Sequence, residues 1–178
     1  MLDIVDIPNG AHGRRRRPGE IKGVVLHAIG EWVVDATNLG GKGKGYVWHC
    51  TDWLRAIGRS CHAFALPDGR IVREVDSWYK AWHAKGWNSK TVGIEFCLPG
   101  VWPYAKFQKA MDGHRAEAEY TEAQIAAGAE WARVRGVEHS FPISRDTIWT
   151  HRSIDPARKK DPGVIFPFEV WLKLAMGD

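Results

Sequence analysis

Apolar residues in this chain fall into short runs separated by turn-forming residues, and the period of each run assigns its element. Ile21-Lys22-Gly23-Val24-Val25-Leu26-His27 is β-branched and apolar until it ends on a histidine, the pattern of a buried strand that delivers one polar side chain at its end. Thr91 to Leu98 is a second such run, with Glu95 inside it and Pro99-Gly100 closing it. Between them, His62 to Leu66 and Arg70 to Val75 flank Pro67-Asp68-Gly69. Two strand-like runs about an Asp-Gly turn predict a hairpin. Asp146 to His151 is a last short strand, again ending on a histidine.

Elsewhere the period is helical. Thr51 to Gly58 has a threonine able to cap and a glycine at its end, which predicts a short helix. Thr121, with Gln124 three residues later as a capping-box partner, opens a longer helix that runs through Trp131 to about Arg135, where Gly136 is expected to stop it. Phe168 to Met176 predicts a final helix. Leu39 to Gly45 alternates glycine and lysine and reads as an exposed connection. Val101 to Glu119 is irregular and charged and reads as an extended surface loop, a lid or one wall of a groove. Arg152 to Gly163 is a basic, proline-bounded loop. Strands and helices interleave, so the expected fold class is α/β, a single domain with a central mixed β-sheet flanked by helices.

Length and composition narrow this further. A chain of 178 residues that is 44% hydrophobic builds one core; residues 1–20 read as a basic amino-terminal segment and 21–178 as the catalytic domain. The run Arg14 to Arg17 reads as a solvated tail. No apolar run is long enough to span a bilayer, and no apolar segment of signal-peptide kind accompanies the arginines. The expectation is a chain without a transmembrane segment, made in the cytoplasm. Cys50, Cys61 and Cys97 are odd in number and lack paired short spacing, so they read as reduced thiols. A net charge of +4 gives mild attraction to polyanions, but no nucleic-acid module accompanies it, which ranks nucleic acid last among partners. Ten tryptophans suit a ligand that contains carbohydrate, since aromatic side chains line sites for sugars and peptides as well as cores.

His27 and His151 each end a predicted strand and could meet along one edge of a sheet, and Asp161 follows the second by ten residues. Two histidines and a carboxylate, with a fourth tetrahedral position open, are what a catalytic zinc ion requires. Taken alone the signal is weak, because a single histidine is more often a satisfied core or surface residue.

Longer motifs sharpen it. Thr150-His151-Arg152-Ser153 followed by Arg158-Lys159-Lys160-Asp161-Pro162-Gly163 resembles the metal-binding segment of the type 2 N-acetylmuramoyl-L-alanine amidases. Val24-Val25-Leu26-His27 resembles the opening strand of that family, and Ser60-Cys61-His62-Ala63-Phe64 with Asp68-Gly69 its Tyr-His-Phe strand and hairpin. Ala81-Trp82-His83-Ala84-Lys85-Gly86, Asn88 and Val92-Gly93-Ile94-Glu95 are similar to its His-Ala-Gly and Asn-Ser-x-Gly-Ile-Glu segment. The four motifs keep the family's order over roughly Lys22 to Gly163.

The resemblance implies a fold like that of type 2 amidases and peptidoglycan recognition proteins, with Zn2+ held by His27, His151 and Asp161. It implies Glu95 as general base and Lys159 as stabiliser of the oxyanion, with His83 along the substrate cleft and His62 packed beneath it; Trp82, Trp87 and Asn88 are cleft candidates by position. In place of a tyrosine that other members use in catalysis stands Cys61, which shifts the burden to Glu95. The implied substrate is peptidoglycan, cut between the lactyl group of N-acetylmuramic acid and L-alanine, and the expected form is a monomer. A phage endolysin made in the cytoplasm and acting on the wall, in the periplasm of a Gram-negative host, is the leading role. A cytosolic amidase recycling anhydromuropeptides and a binding module without activity are the alternatives.

Overall fold

In the computed structural model, which describes residues 2–30, 46–98, 104–113 and 119–177, the two longest apolar runs lie side by side. β3 (Gly23–Ile29) and β7 (Thr91–Cys97) pair in parallel from Gly23 opposite Thr91 to Ile29 opposite Cys97. Both are buried almost throughout, as near-continuous Val and Ile content requires of parallel strands covered on both faces. β8 (Ile148–Thr150) adds in parallel beyond β3, and β4 (Ala63–Ala65) in parallel beyond β7. β5 (Ile71–Arg73) returns antiparallel to β4 through the Asp-Gly turn, and β1 (Ile4–Asp6) closes that edge in parallel with β5. The result is the expected mixed sheet, six strands in the order β1-β5-β4-β7-β3-β8. A separate antiparallel ribbon pairs β2 (His12–Arg15) with β6 (Tyr79–Ala81).

Because side chains alternate along a strand, the two faces of the sheet differ. Val24, Leu26, Ile94 and Phe96 point into a core shared with α3 (Glu122–His139) and α5 (Phe168–Met176), where Trp131, Ala132, Trp171 and Leu172 meet them. Ile29, Phe64, Val72 and Cys97 belong to a cluster on the opposite face, covered by Cys50 and Leu54 of α1 (Tyr46–Ala56). By the same alternation His27 and Glu95 lie on this second face, near the carboxyl ends of their strands. α2 (Tyr104–Met111) crosses that end and packs Phe107, Ala110 and Met111 against Ala28 and Leu98.

α5 matches its expected span, and the three cysteines are free and buried. Other readings need correction. Residues 104–111 of the stretch read as an extended loop are helical, because Phe107, Ala110 and Met111 form one apolar stripe with a floor to cover. α3 does not stop at Gly136 but runs to His139 and ends on Ser140 at φ 58°. Gly136 is retained inside the helix because a Cβ there would stand 3.0 Å from the Phe141 carbonyl oxygen. Thr121 does cap α3, accepting from the Gln124 backbone N–H, but the Gln124 carboxamide turns away and donates to the Ala65 and Cys97 carbonyls. α1 starts at Tyr46, so Thr51 is buried within the helix instead of capping it. The arginine run is no free tail: Arg14 and Arg15 lie on β2, and Arg16 is buried, its guanidinium donating to the carbonyls of Ser77, Asn88 and Thr91. His151 opens a short helix, α4 (His151–Ile154), one residue past the strand that was expected to end on it. Leu39 to Gly45 and Pro99-Gly100 lie outside the described residues. No helix among the described residues is long and apolar enough to cross a membrane.

Candidate active site

His27 is fixed by β3, which pairs with β7 at that height, opposite Glu95, and with β8 up to the preceding residue, Leu26. His151 is fixed by a reciprocal cap. The Thr150 hydroxyl accepts the Ser153 N–H at 3.0 Å while the Ser153 hydroxyl oxygen accepts the Thr150 N–H at 3.1 Å, so His151 becomes the first helical residue and its ring turns inward. The loop after α4 returns to the same place because the Arg152 N–H donates to the Asp161 carbonyl at 2.8 Å. Three donor atoms then converge. His27 Nδ1 and His151 Nδ1 are 2.8 Å apart, Asp161 Oδ2 lies 2.9 Å from His151 Nδ1 and 3.4 Å from His27 Nδ1, and all three residues are buried.

This triangle fits a metal ion. Ligand atoms at about 2.0–2.1 Å from a tetrahedral zinc stand about 3.3 Å from one another, close to the observed edges. The protonation states fit as well. Burial, with the neighbouring His151, pushes His27 down to about 4 and so keeps it neutral. Burial alone would raise Asp161, but hydrogen bonds with His151 and His27 outweigh it and hold the carboxyl well below its usual range. A neutral imidazole and a carboxylate are the forms in which these side chains bind metal.

If Nδ1 of His27 faces the metal, its Nε2 carries the proton, and that atom lies 3.0 Å from His83 Nδ1. His83 is thereby the acceptor that sets the tautomer of His27. His83 can approach only because residue 93 is glycine, since a Cβ there would stand 2.5 Å from His83 Nδ1. Below His83 lies His62, ring centroids 5.4 Å apart, as expected from the resemblance. His62 Nδ1 accepts the Gly93 N–H at 2.9 Å, so its Nε2 donates to the Tyr79 carbonyl at 3.0 Å. Burial holds both His83 and His62 well below the ordinary histidine range.

Of the three candidate ligands, His151 and Asp161 open onto a cleft of about 170 Å3 that Glu95, Lys159, His83 and Trp82 also line. Glu95 stands opposite His27 in the β3–β7 register. Burial and the charge of Asp161 push its carboxyl well above the usual range, with Lys159 opposing. Lys159 is held by its backbone N–H on the Asp155 carbonyl at 2.9 Å. The arrangement can bind a divalent cation, hold a proton beside it at Glu95 and present one ammonium to developing negative charge.

Trp87, whose ring centroid lies 4.8 Å from that of Trp149, is not brought to this cleft, and neither is Asn88. Its side-chain oxygen accepts the backbone N–H groups of His83 and Ala84 at 3.0 and 2.6 Å, so it shapes the turn that carries His83. Cys61 does not line the cleft either; it is fully buried, with its thiol donating to the Ala63 carbonyl. Trp53 and Phe107 form cleft walls that the chain did not announce. Phe107 lay in the stretch read as a loop, whereas Trp53 was in a predicted helix whose facing direction carried no sequence signal.

The sequence profile of the N-acetylmuramoyl-L-alanine amidases matches residues 16–164, a span that holds all three candidate ligands, Glu95 and Lys159. The chain is 30% identical over 122 residues to the 1,6-anhydro-N-acetylmuramyl-L-alanine amidase AmpD of Haemophilus influenzae, an alignment that covers 64% of this chain and 56% of that protein. Among solved structures, an AmpD crystal structure superposes with a TM-score of 0.65 at 21% identity, covering 98% of this chain and 95% of the other. The endolysin N-acetylmuramoyl-L-alanine amidase LysCS of Clostridium intestinale superposes with a TM-score of 0.64 at 19% identity, covering 99% and 97%. These two share the fold; the profile, matched over most of the chain, carries the assignment, and the protein belongs to the N-acetylmuramoyl-L-alanine amidase family.

Proposed function

We propose that the protein is a zinc-dependent N-acetylmuramoyl-L-alanine amidase that hydrolyses the lactyl–L-alanine amide of peptidoglycan. The observation that carries this reading is the convergence of His27, His151 and Asp161 at a cleft that Glu95 and Lys159 line. Zinc held by the three ligands supplies a Lewis acid and an activated water at neutral pH. Glu95 takes the proton of the attacking water and returns it to the departing amine of L-alanine, a double task suited to a carboxyl whose proton affinity is raised. Lys159 stabilises the negative charge that develops on the carbonyl oxygen. His83 keeps His27 in its ligating tautomer, and Trp53, Trp82 and Phe107 give the muropeptide apolar walls to lie against.

For the biological setting we propose a phage endolysin that acts on the host wall. The 30% identity with AmpD favours a second reading, an amidase of soluble anhydromuropeptides, at least as strongly. One digest tests the activity and separates the settings. Purified peptidoglycan and a soluble anhydromuropeptide are each treated with native protein and with His151→Ala, scoring free amino groups and reducing sugars separately. New L-alanine amino termini without reducing ends, lost in the variant, are expected. Release from intact wall supports the endolysin, and release from the soluble substrate alone supports recycling; no release from either, with binding to peptidoglycan retained, would replace the amidase with a recognition module.

A further inference from the structure

The tryptophans divide by location. Trp131 and Trp171 are core, and Trp53 and Trp82 line the catalytic cleft. Trp78, Trp87 and Trp149 are half-buried and line a second groove, of about 610 Å3. This groove lies at the amino-terminal ends of the parallel strands, where Lys22 precedes β3, Lys90 precedes β7 and Thr147 precedes β8. Five residues of strand separate Lys22 from His27, about 16 Å at roughly 3.3 Å per residue, so the groove is distinct from the catalytic cleft.

Its chemistry is specific. The rings of Trp87 and Trp149 stand 4.8 Å apart at 60°, forming a corner of two apolar platforms, and the Lys90 ammonium lies 3.7 Å from the Trp87 ring. Indole left half in water forgoes burial that a core position would provide, and three such rings around one groove are poorly explained by folding alone. Buried His139 lines the same groove, and neither of its ring nitrogens has a hydrogen-bond partner. Lys22 and Lys90 are matched in number by Glu138 and Asp146 among the lining residues, and Glu138 also pairs with Arg135 at 2.7 Å. Flat apolar faces, scattered donors and acceptors and lining charges of both signs together match an uncharged sugar ring, with apolar C–H faces and hydroxyl or amide edges.

We propose that this groove binds the N-acetylhexosamine backbone of a wall glycan strand and holds the protein on the polymer while the catalytic cleft works on a stem peptide. The proposal rests on the peptidoglycan reading for its ligand, but its test does not depend on catalysis. Native protein is titrated with chitotetraose, and separately with a short single-stranded oligonucleotide, while the indole N–H resonances are followed. Chitotetraose is expected to move the Trp87 and Trp149 resonances. In parallel, Trp87→Ala/Trp149→Ala should lose at least tenfold in retention on insoluble peptidoglycan and still cleave a soluble muropeptide at the native rate. Shifts confined to Trp53 and Trp82, a response to the oligonucleotide in place of the sugar, or undiminished retention of the double variant would each overturn the groove. If the double variant does not fold, the native titration decides alone. Failure of the amidase reading would show differently, as no cleavage of soluble muropeptide by either protein, whatever the indoles do.

Discussion

At the level of single residues, the division of labour in the cleft predicts different failures for different substitutions. Lys159 touches none of the three candidate ligand atoms at hydrogen-bond distance, so Lys159→Ala is expected to bind zinc as the native protein does. Its loss should appear in kcat, by about 10²–10³-fold, the usual effect of removing one oxyanion donor; a native kcat would remove Lys159 from the chemistry. Gly93→Ala tests the opposite case. Its Cβ would meet His83 Nδ1 at 2.5 Å and push that ring off His27, so metal affinity measured by chelator competition should fall about 10–100-fold, as for loss of an outer partner of a ligand. Unchanged affinity would mean that His83 does not position His27. The cluster of candidate ligands was legible in the chain because two apolar runs each end on a histidine and family motifs surround them. The His27–His83 link was not, because it depends on ring direction and on the space left by an absent side chain 66 residues beyond His27. Asn88 shows the same limit, since its placement near the cleft was readable and its turn toward the backbone was not.

At the level of elements, apolar periodicity located β3, β7, the β4–β5 hairpin and α5, whose signals are local. It failed where tertiary contact decides. α2 has only a short stripe, and its helical state depends on covering Ala28 and Leu98. α3 continues through Gly136 because that position packs closely on the turn that follows. Gln124 is the clearest case, since three-residue spacing from Thr121 suggests a cap whereas the side chain serves the sheet. Its amide donates at 2.7 and 2.9 Å to the carbonyls of Ala65, the last residue of β4, and Cys97, the last of β7. Thr121→Ala should therefore cost about 1 kcal/mol, the worth of one N-cap. Gln124→Leu leaves two buried carbonyls without their donor and should cost more, about 2–6 kcal/mol at roughly 1–3 kcal/mol per orphaned group. Urea denaturation of both variants checks this; equal losses would return Gln124 to a purely capping role.

For the whole molecule, the decisive feature is how many histidines lie in the interior. The mixed-sheet fold and family could be read from the chain, but not that His27, His62 and His139 would be buried, with His83 half-buried at the cleft, and all four held neutral together. Burial holds His27 and His139 at about 4 and the other two well below the ordinary value. Each has a folded pKa below its unfolded value of about 6.5, so below that pH the unfolded chain binds protons that the native state refuses. Their combined contribution is complete above about pH 6.5 and declines as pH falls toward the folded values, by up to about 1.4 kcal/mol per pH unit for each group. Glu74 acts in the opposite direction. Burial raises it to about 7, so the native state takes its proton first and gains stability as pH falls from about 7 to its unfolded value, and Glu95, which burial and the charge of Asp161 also push well above the usual range, does the same. Four groups against two give a net loss, and the metal-free protein should lose about 1 kcal/mol in urea denaturation between pH 7 and pH 5.5, where ordinary carboxylates are still ionised. His139→Gln lies away from the three candidate ligands and should flatten that slope by part of one group's share without touching the metal. A metal-free protein equally stable at the two pH values would show that these histidines accept protons in the folded state, and the neutral donor set at the cleft would lose its physical basis.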